Sequence, residues 1–187
     1  GNISIELLWA FVKNNINTEI VECTSHMLNK LDSEMAQLVE RYILGNFENS
    51  IKIHTKKSAV EFIGDDNQNV IAVKLNTGEI IETDFVVIAS GIVPNSEIFK
   101  EAGGILSFRD TIKVDTYMQT NLKDVYACGD VVANYNIVSH KPDWIPLAST
   151  ANKEGRIVAL NINGMKEDFH GVLSSVVTKF HNLTIAS

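Results

Sequence analysis

The first 22 residues have the pattern of a helix followed by a strand, with no strand before them. Apolar residues recur at helical spacing between positions 3 and 12, and a β-rich run at 18–22 follows a polar turn. This order is typical of the second half of a βαβ unit. Because an internal strand of a parallel sheet is normally buried on both faces, a domain that began here would leave a neighbouring strand exposed. We therefore expect the chain to be a piece of a longer protein.

Helix-like and strand-like patterns follow one another along the rest of the chain. A helix is predicted to start with Asp32 or Ser33 as its N-cap, with Gly45 able to stop it. The continuous apolar run at 85–89 predicts a fully buried strand. The other predicted helices are 96–102 and 147–162, and the other predicted strands are 51–58, 59–63, 70–75, 79–83, 111–115, 124–128 and most of 172–186.

Composition excludes several classes of protein. The chain has 16 Lys and Arg against 23 Asp and Glu, a formal net charge of -7, which argues against a nucleic-acid partner. No apolar run approaches the roughly 20 residues that span a bilayer. The two cysteines, Cys23 and Cys128, lie far apart and match no zinc spacing, so we expect no metal site and a reducing cytoplasm.

The stretch from Gly1 to Ser4, together with Glu22, suits a dinucleotide site. Such a site needs a glycine turn where backbone approaches a pyrophosphate at a helix N-terminus, and an acid about 20 residues later that holds the ribose hydroxyls. A carboxylate at Glu22 repels a 2′-phosphate, and no Lys or Arg follows before Lys30, which favours NAD(H) over NADP(H). The alternative is an amphipathic helix followed by a strand that ends in a solvated acid.

Two further runs have the character of ligand-binding turns. The run 120–130 leads from a loop through a strand to Gly129 and Asp130, where glycine permits close approach and the acid can accept hydrogen bonds from a polyol. The run 145–156 places Pro146 at a helix start whose free N–H groups can face an electron-rich oxygen. A turn after an edge strand and a well-packed helix of small residues are the alternatives.

In this order, the segments resemble the pyridine nucleotide-disulfide oxidoreductase family, and in particular its branch of NADH oxidases, NADH peroxidases and coenzyme A-disulfide reductases. The similar segments are 1–6, 20–22, 31–35, 89–95, 120–130 and 146–164, with a tail at 169–187 similar to the lead into that branch's dimerisation domain. Ser4 departs from the family by replacing a usual glycine. The family's N-terminal FAD half, with its own glycine-rich loop, has no counterpart in these 187 residues.

The resemblance implies an α/β fold made of parts of two Rossmann-like domains. Residues 1–95 would be an NAD(H)-binding domain whose first strand is missing, with a β-meander crossover between 51 and 83. Residues 96–170 would be the second, returning segment of an FAD-binding domain, and residues 171–187 the start of a dimerisation domain.

The resemblance also implies the cofactors FAD and NAD(H) and the positions that hold them. The expected NADH-lining residues are Gly1, Ile3, Glu6, Glu22 and Gly91, with Glu6 and Gly91 nearest the nicotinamide. The expected flavin-binding residues are Gly129, Asp130, Leu147 and Ala148. No catalytic residue is expected in this chain, because the family's redox cysteine lies in the N-terminal half. Cys23 and Cys128 match no such position and are expected to be buried structural thiols.

The activity implied by the resemblance is hydride transfer from NADH to the flavin, and then to a thiol or disulfide, peroxide or oxygen acceptor. Partners would be a small-molecule or thiol/disulfide electron acceptor and a second copy in a homodimer of the full-length protein, with no nucleic acid or membrane. The chain by itself is expected to be inactive. A non-catalytic nucleotide-binding α/β module stays open, as does another Rossmann-like enzyme such as a methyltransferase, although the latter has no use for a ribityl-binding Gly-Asp.

Overall fold

Four α-helices, one 3-10 turn and nine short strands make up residues 1–187, all of which are described by this computed structural model. The helices are α1 (Asn2–Lys13), α2 (Ser33–Phe47), α3 (Glu97–Glu101) and α4 (Ala148–Ile162), and the 3-10 turn is Phe108–Asp110. The strands are β1 (Thr18–Glu22), β2 (Ile51–Thr55), β3 (Ala59–Gly64), β4 (Val70–Leu75), β5 (Ile80–Glu82), β6 (Asn134–Asn136), β7 (Lys141–Asp143), β8 (Val177–Phe180) and β9 (Leu183–Ala186).

The chain divides into two compact units. Unit 1 is Gly1–Gly91 together with Val176–Ser187, and unit 2 is Ile92–Ser175. No helix in either unit is both long enough and apolar enough to cross a membrane.

One apolar core holds unit 1 together. The strands β1 and β2 pair in parallel, and α1, α2 and the antiparallel β8–β9 hairpin contribute to the same core. The fully buried Phe180 ring of the hairpin lies 5.7 Å from the Trp9 ring and 5.4 Å from the Phe47 ring, measured between centroids. The C-terminal hairpin is thus packed into the same core as the N-terminal helix. The buried apolar residues of this core are Ile5, Leu8, Met27, Leu28, Val39, Ile43, Ile51, Phe180 and Ile185.

The start of α2 follows its local sequence, but its end does not. The Asp32 side chain accepts a hydrogen bond from the Met35 backbone N–H at 3.2 Å, so Asp32 is the N-cap and Ser33, the other candidate, is the first helical residue. The prediction that Gly45 stops the helix is wrong, because α2 continues to Phe47. An interior glycine costs about 1 kcal/mol, and the ring contacts of Phe47 in the core offset that cost.

The strands β3, β4 and β5 form a three-stranded antiparallel meander. The strand β4 has the predicted bounds, 70–75. The predicted strand at 51–58 is shorter, since β2 ends at Thr55 and pairs in parallel with β1 instead of joining the meander.

The apolar run at 85–89 is not the buried strand that its composition predicts. Residues 85–88 are between 36% and 70% exposed, and the run makes no backbone–backbone hydrogen bond. Its ring contact is between Phe85 and Phe11 of α1, with centroids 5.4 Å apart. An apolar run becomes a buried strand only when other strands and helices cover it, and unit 1 provides no strand that pairs with this one.

Unit 2 has little regular sheet. The predicted strands at 111–115 and 124–128 are wrong as strands, because they make only single-residue bridges, such as Ile112 with Val132 and Gln119 with Tyr126. Residues 133–144, whose polar sequence predicts a loop, contain the short antiparallel hairpin β6–β7. A β-strand forms when several consecutive residues pair with a neighbouring segment. In these two segments only isolated residues are paired.

Candidate functional site

The expected NADH residues near the N-terminus of α1 lie at an open helix start. Gly1 is the N-cap of α1, and the first backbone N–H groups of a helix have no intrahelical acceptor. Gly1 and Ile3 are both exposed. Glu6 is exposed as well, and its Oε1 accepts a hydrogen bond from the Thr178 hydroxyl at 3.0 Å, which links α1 to β8.

Glu22 stands at the carboxyl end of β1 with one of its two oxygens already occupied. Its Oε1 accepts hydrogen bonds from the Thr24 N–H and the Thr24 hydroxyl, both at 2.9 Å, and from the Cys23 thiol at 3.5 Å. Partial burial opposes ionisation, but these hydrogen bonds outweigh it and lower the pKa of Glu22. The other oxygen, Oε2, makes no hydrogen bond within the chain and can accept one from a ligand.

Gly91 shares no hydrogen bond with the other expected NADH residues. It ends the unpaired run 85–91, has a φ of +112°, and makes no backbone hydrogen bond. A φ in this range favours glycine.

In unit 2, Gly129 and Asp130 form a tight turn with an outward-facing acid. Gly129 has a φ of +81°, and its carbonyl accepts a hydrogen bond from the Val132 N–H at 3.0 Å. The Asp130 carbonyl accepts one from the Trp144 indole Nε1 at 2.8 Å. The Asp130 carboxylate is exposed and makes no hydrogen bond or ion pair within the chain, so it is available to a ligand.

The start of α4 packs against this turn. A Cβ placed on Gly129 would lie 3.6 Å from the Ala151 Cβ, which is ordinary van der Waals contact. The Leu147 carbonyl accepts the N–H groups of Thr150 and Ala151 at 3.0 Å each, and no side chain caps the helix. The N–H groups of the preceding residues, Ala148 included, stay open. The fold thus places the first turn of α4, at Ala151, against Gly129.

Glu154 also belongs to this site, although no motif in the sequence indicated it. It lies on α4 three positions after Ala151, its exposure is 0%, and its two oxygens accept hydrogen bonds from the Gly129 N–H at 2.5 Å and from the Asn134 Nδ2 at 2.8 Å. Burial raises the pKa of the Glu154 carboxyl, and the Asp130 charge adds to the rise, while the two hydrogen bonds oppose it. The sequence signal was an acid at helical spacing on the small-residue face of α4.

The two cysteines differ from each other and from expectation. Cys23 is exposed, so the prediction that it is buried is wrong. Cys128 is half-buried, and burial, with the Glu154 charge, raises the pKa of its thiol. A raised pKa keeps the thiol protonated and poorly nucleophilic. No group of three or more His, Cys, Asp or Glu side chains is arranged to hold a metal ion.

Comparison with known proteins gives a consistent match. The sequence pattern of the family described as Pyridine nucleotide-disulphide oxidoreductase matches residues 1–155. The NAD(P)H sulfur oxidoreductase (CoA-dependent) of Pyrococcus furiosus is 33% identical over 186 residues, which are 99% of this chain and 40% of the relative. The NADH oxidase of Methanocaldococcus jannaschii is 28% identical over 186 residues, with the same coverage of 99% and 40%. The chain therefore spans about 40% of the length of these relatives.

A solved structure agrees with the sequence matches. The FAD-dependent pyridine nucleotide-disulphide oxidoreductase of Desulfovibrio vulgaris is similar to the whole of this chain, with a TM-score of 0.89 and 29% identity, over 46% of its own length. The mixed α/β architecture described above is thus a part of that larger fold. On the family pattern, the relatives and the shared fold together, the chain belongs to the pyridine nucleotide-disulphide oxidoreductase family, in its branch of NADH oxidases and coenzyme A-disulfide reductases.

Proposed function

We propose that the chain is part of an FAD-dependent NAD(P)H oxidoreductase, in which its residues hold NADH and flavin for hydride transfer between them. The observation that carries this proposal is the Asp130 carboxylate, which is exposed and has no partner within the chain. It stands in a turn against which the open start of α4 packs. The Asp130 carboxylate can accept hydrogen bonds from a polyol, and the open N–H groups at the start of α4 can donate to the oxygens of an electron-rich ring. These are the two parts of a flavin.

For the flavin, each expected residue has a specific task. Asp130 accepts hydrogen bonds from ribityl hydroxyls, and Gly129 lets the backbone come close to the ligand. The helix start at Leu147 and Ala148 presents its N–H groups, with the positive end of the helix dipole, to the ring oxygens. The chemistry that bound flavin supplies is acceptance of a hydride from NADH and passage of electrons to an acceptor.

For NADH, the open start of α1 and Glu22 divide the work. The open start of α1, at Gly1 and Ile3, would hold the pyrophosphate through backbone N–H groups. The unoccupied Oε2 of Glu22 accepts from the ribose hydroxyls, and its negative charge selects NADH over NADPH. Glu6 and Gly91 are assigned to the nicotinamide end.

The domain assignment follows from these roles. Residues 1–95 serve as the NAD(H)-binding domain, a Rossmann-like domain without its first strand, and residues 96–170 as the returning segment of the FAD-binding domain. Residues 171–187 lead into a dimerisation domain, and the full-length protein forms a homodimer. The electron acceptor is a thiol or disulfide, peroxide or oxygen, and the reactive thiol lies outside this chain, since Cys23 and Cys128 have no part in the reaction.

The test is to replace the Asp130 acceptor in the complete gene product. In Asp130→Asn the charged acceptor is lost, so we expect the FAD Kd to rise about 10-fold or more, measured by titration of the apoprotein with FAD and followed by the visible absorption spectrum. Asp124→Asn, an exposed acid in the same unit, is the matched control and should keep its flavin.

Two results would contradict the proposal. One is flavin affinity in Asp130→Asn equal to that of the Asp124→Asn control. The other is NADH binding with no flavin binding by the unchanged protein, which would favour a non-catalytic nucleotide-binding module.

A further inference from the structure

Glu154 is a fully buried carboxylate that none of the ligand contacts proposed above uses. A buried acid of this kind is rare unless it is paired or has a role. No salt bridge is formed by Glu154, and its hydrogen-bond partners are the backbone of Gly129 and the side chain of Asn134. The charge of Glu154 is therefore stabilised by two neutral hydrogen-bond donors and by no cation.

Two hydrogen bonds restrain the backbone around Asp130, the acid assigned to the ribityl chain, and Glu154 accepts one of them. The Glu154 Oε2 fixes the peptide N–H of Gly129, immediately before Asp130. The Trp144 indole Nε1 donates the second bond, to the Asp130 carbonyl at 2.8 Å. Since Gly129 has a φ of +81°, a conformation that glycine leaves readily, the turn needs such restraints to hold one shape.

We propose that Glu154 is a positioning residue for flavin binding: by accepting the Gly129 N–H, it holds the turn so that the Asp130 carboxylate faces the ribityl hydroxyls. The proposal rests on the proposed function, because it assigns a purpose to the direction in which Asp130 points. The Asn134 Nδ2 donates a hydrogen bond to the other Glu154 oxygen at 2.8 Å and so fixes the orientation of the carboxylate.

The charged and titratable groups around Glu154 are Asp130 and Cys128, both of which interact with it electrostatically. Neither supplies a positive charge. The anionic form of Glu154 therefore depends on its two hydrogen bonds, and it is also the form that makes the stronger, charge-assisted bond to Gly129. Flavin affinity is accordingly expected to be higher at a pH at which Glu154 is ionised.

The test compares Glu154→Leu and Glu154→Gln in the complete gene product, with the exposed Glu101 of α3 as the matched control in Glu101→Leu and Glu101→Gln. Two readouts are taken: amide exchange and chemical shift of Gly129 in the flavin-free protein, and the FAD Kd across pH. Glu154→Leu should expose the Gly129 amide to exchange and raise the FAD Kd about 10- to 100-fold, as loss of a charge-assisted hydrogen bond implies. Glu154→Gln should restore most of the affinity and remove its pH dependence.

The outcomes separate this proposal from the one on which it rests. Faster Gly129 exchange with unchanged FAD Kd would overturn the positioning role and leave flavin binding intact. An unchanged protein that protects Gly129 but binds no FAD would overturn the proposed function, and with it the purpose assigned to Glu154. If Glu154→Leu does not fold, Glu154→Gln decides: an unmoved Gly129 resonance and a flavin affinity with unchanged pH dependence would overturn the role.

Discussion

At the scale of single residues, two glutamates show how surroundings decide what a carboxylate can do. Glu22 is partly exposed and bonded to Thr24, and its pKa is lowered, so it is anionic and keeps one oxygen for a ligand. Glu154 is buried, its pKa is raised, and both of its oxygens are occupied within the chain. Glu22 thus suits ligand recognition, whereas Glu154 suits internal support.

The role of Glu22 leads to a prediction about nucleotide choice. In Glu22→Gln the amide oxygen can keep the Thr24 bonds, but the second position becomes a donor and the negative charge disappears. We expect the NADH Kd to rise about 10-fold, while the NADPH Kd stays the same or falls because the repulsion of a 2′-phosphate is gone. Titration of the complete gene product with each nucleotide measures both. The exposed Glu34→Gln is the control, and an NADH Kd equal to that control would contradict the assignment.

At the scale of elements, local patterns and tertiary contacts compete for the same residues. The continuation of α2 through Gly45 and the packing of the β8–β9 hairpin both depend on the aromatic contacts among Trp9, Phe47 and Phe180. The run at 85–89 shows the opposite case, in which strong strand propensity meets no pairing strand and stays exposed.

The hairpin contact predicts a large stability effect. Phe180→Ala removes a ring with 0% exposure, so the free energy of unfolding should fall by about 3–5 kcal/mol from lost burial and the remaining cavity. Urea denaturation of the complete gene product, with and without the substitution, measures the change in the free energy of unfolding. Phe62→Ala on β3 removes a ring that is 52% exposed and should cost far less. Equal losses in the two variants would show that the hairpin does not belong to the core.

At the scale of the whole molecule, the two units carry carboxylates with opposite pH behaviour. In unit 1, Glu19 is bonded to Lys52 at 2.8 Å and His54 at 2.7 Å, and although burial opposes them, these contacts lower its pKa. In unit 2, burial raises the pKa of Glu154. A lowered pKa stabilises the fold at pH above the ordinary carboxyl value, whereas a raised one withdraws stability as pH increases.

A comparison of Glu154→Gln with Glu19→Gln tests this contrast. As pH rises from the ordinary value of 4.5 through the raised pKa of Glu154, the unchanged protein should lose stability relative to Glu154→Gln, which cannot ionise. Relative to Glu19→Gln, the unchanged protein should be more stable at neutral pH and lose that advantage as pH falls through the lowered pKa of Glu19. Urea denaturation at several pH values measures both differences. Slopes of the same sign would contradict the assignment.

Local signals in the sequence were enough for the features that depend on near neighbours in the chain. The helix start at 32–33, the bounds of β4 and the helix from 148 to 162 follow from capping and apolar spacing within a few residues. The family itself was recognisable from short segments in the right order.

The tertiary structure alone decided which residues are buried and which charged groups are removed from solvent. The burial of Glu154 depends on β6 and the Gly129 turn reaching it from 20 and 25 positions away along the chain, and no pattern on α4 contains that information. The exposure of 85–88 and of Cys23 is likewise set by which elements lie against them. Propensity is a property of neighbouring residues, whereas burial and desolvation are properties of the packed chain.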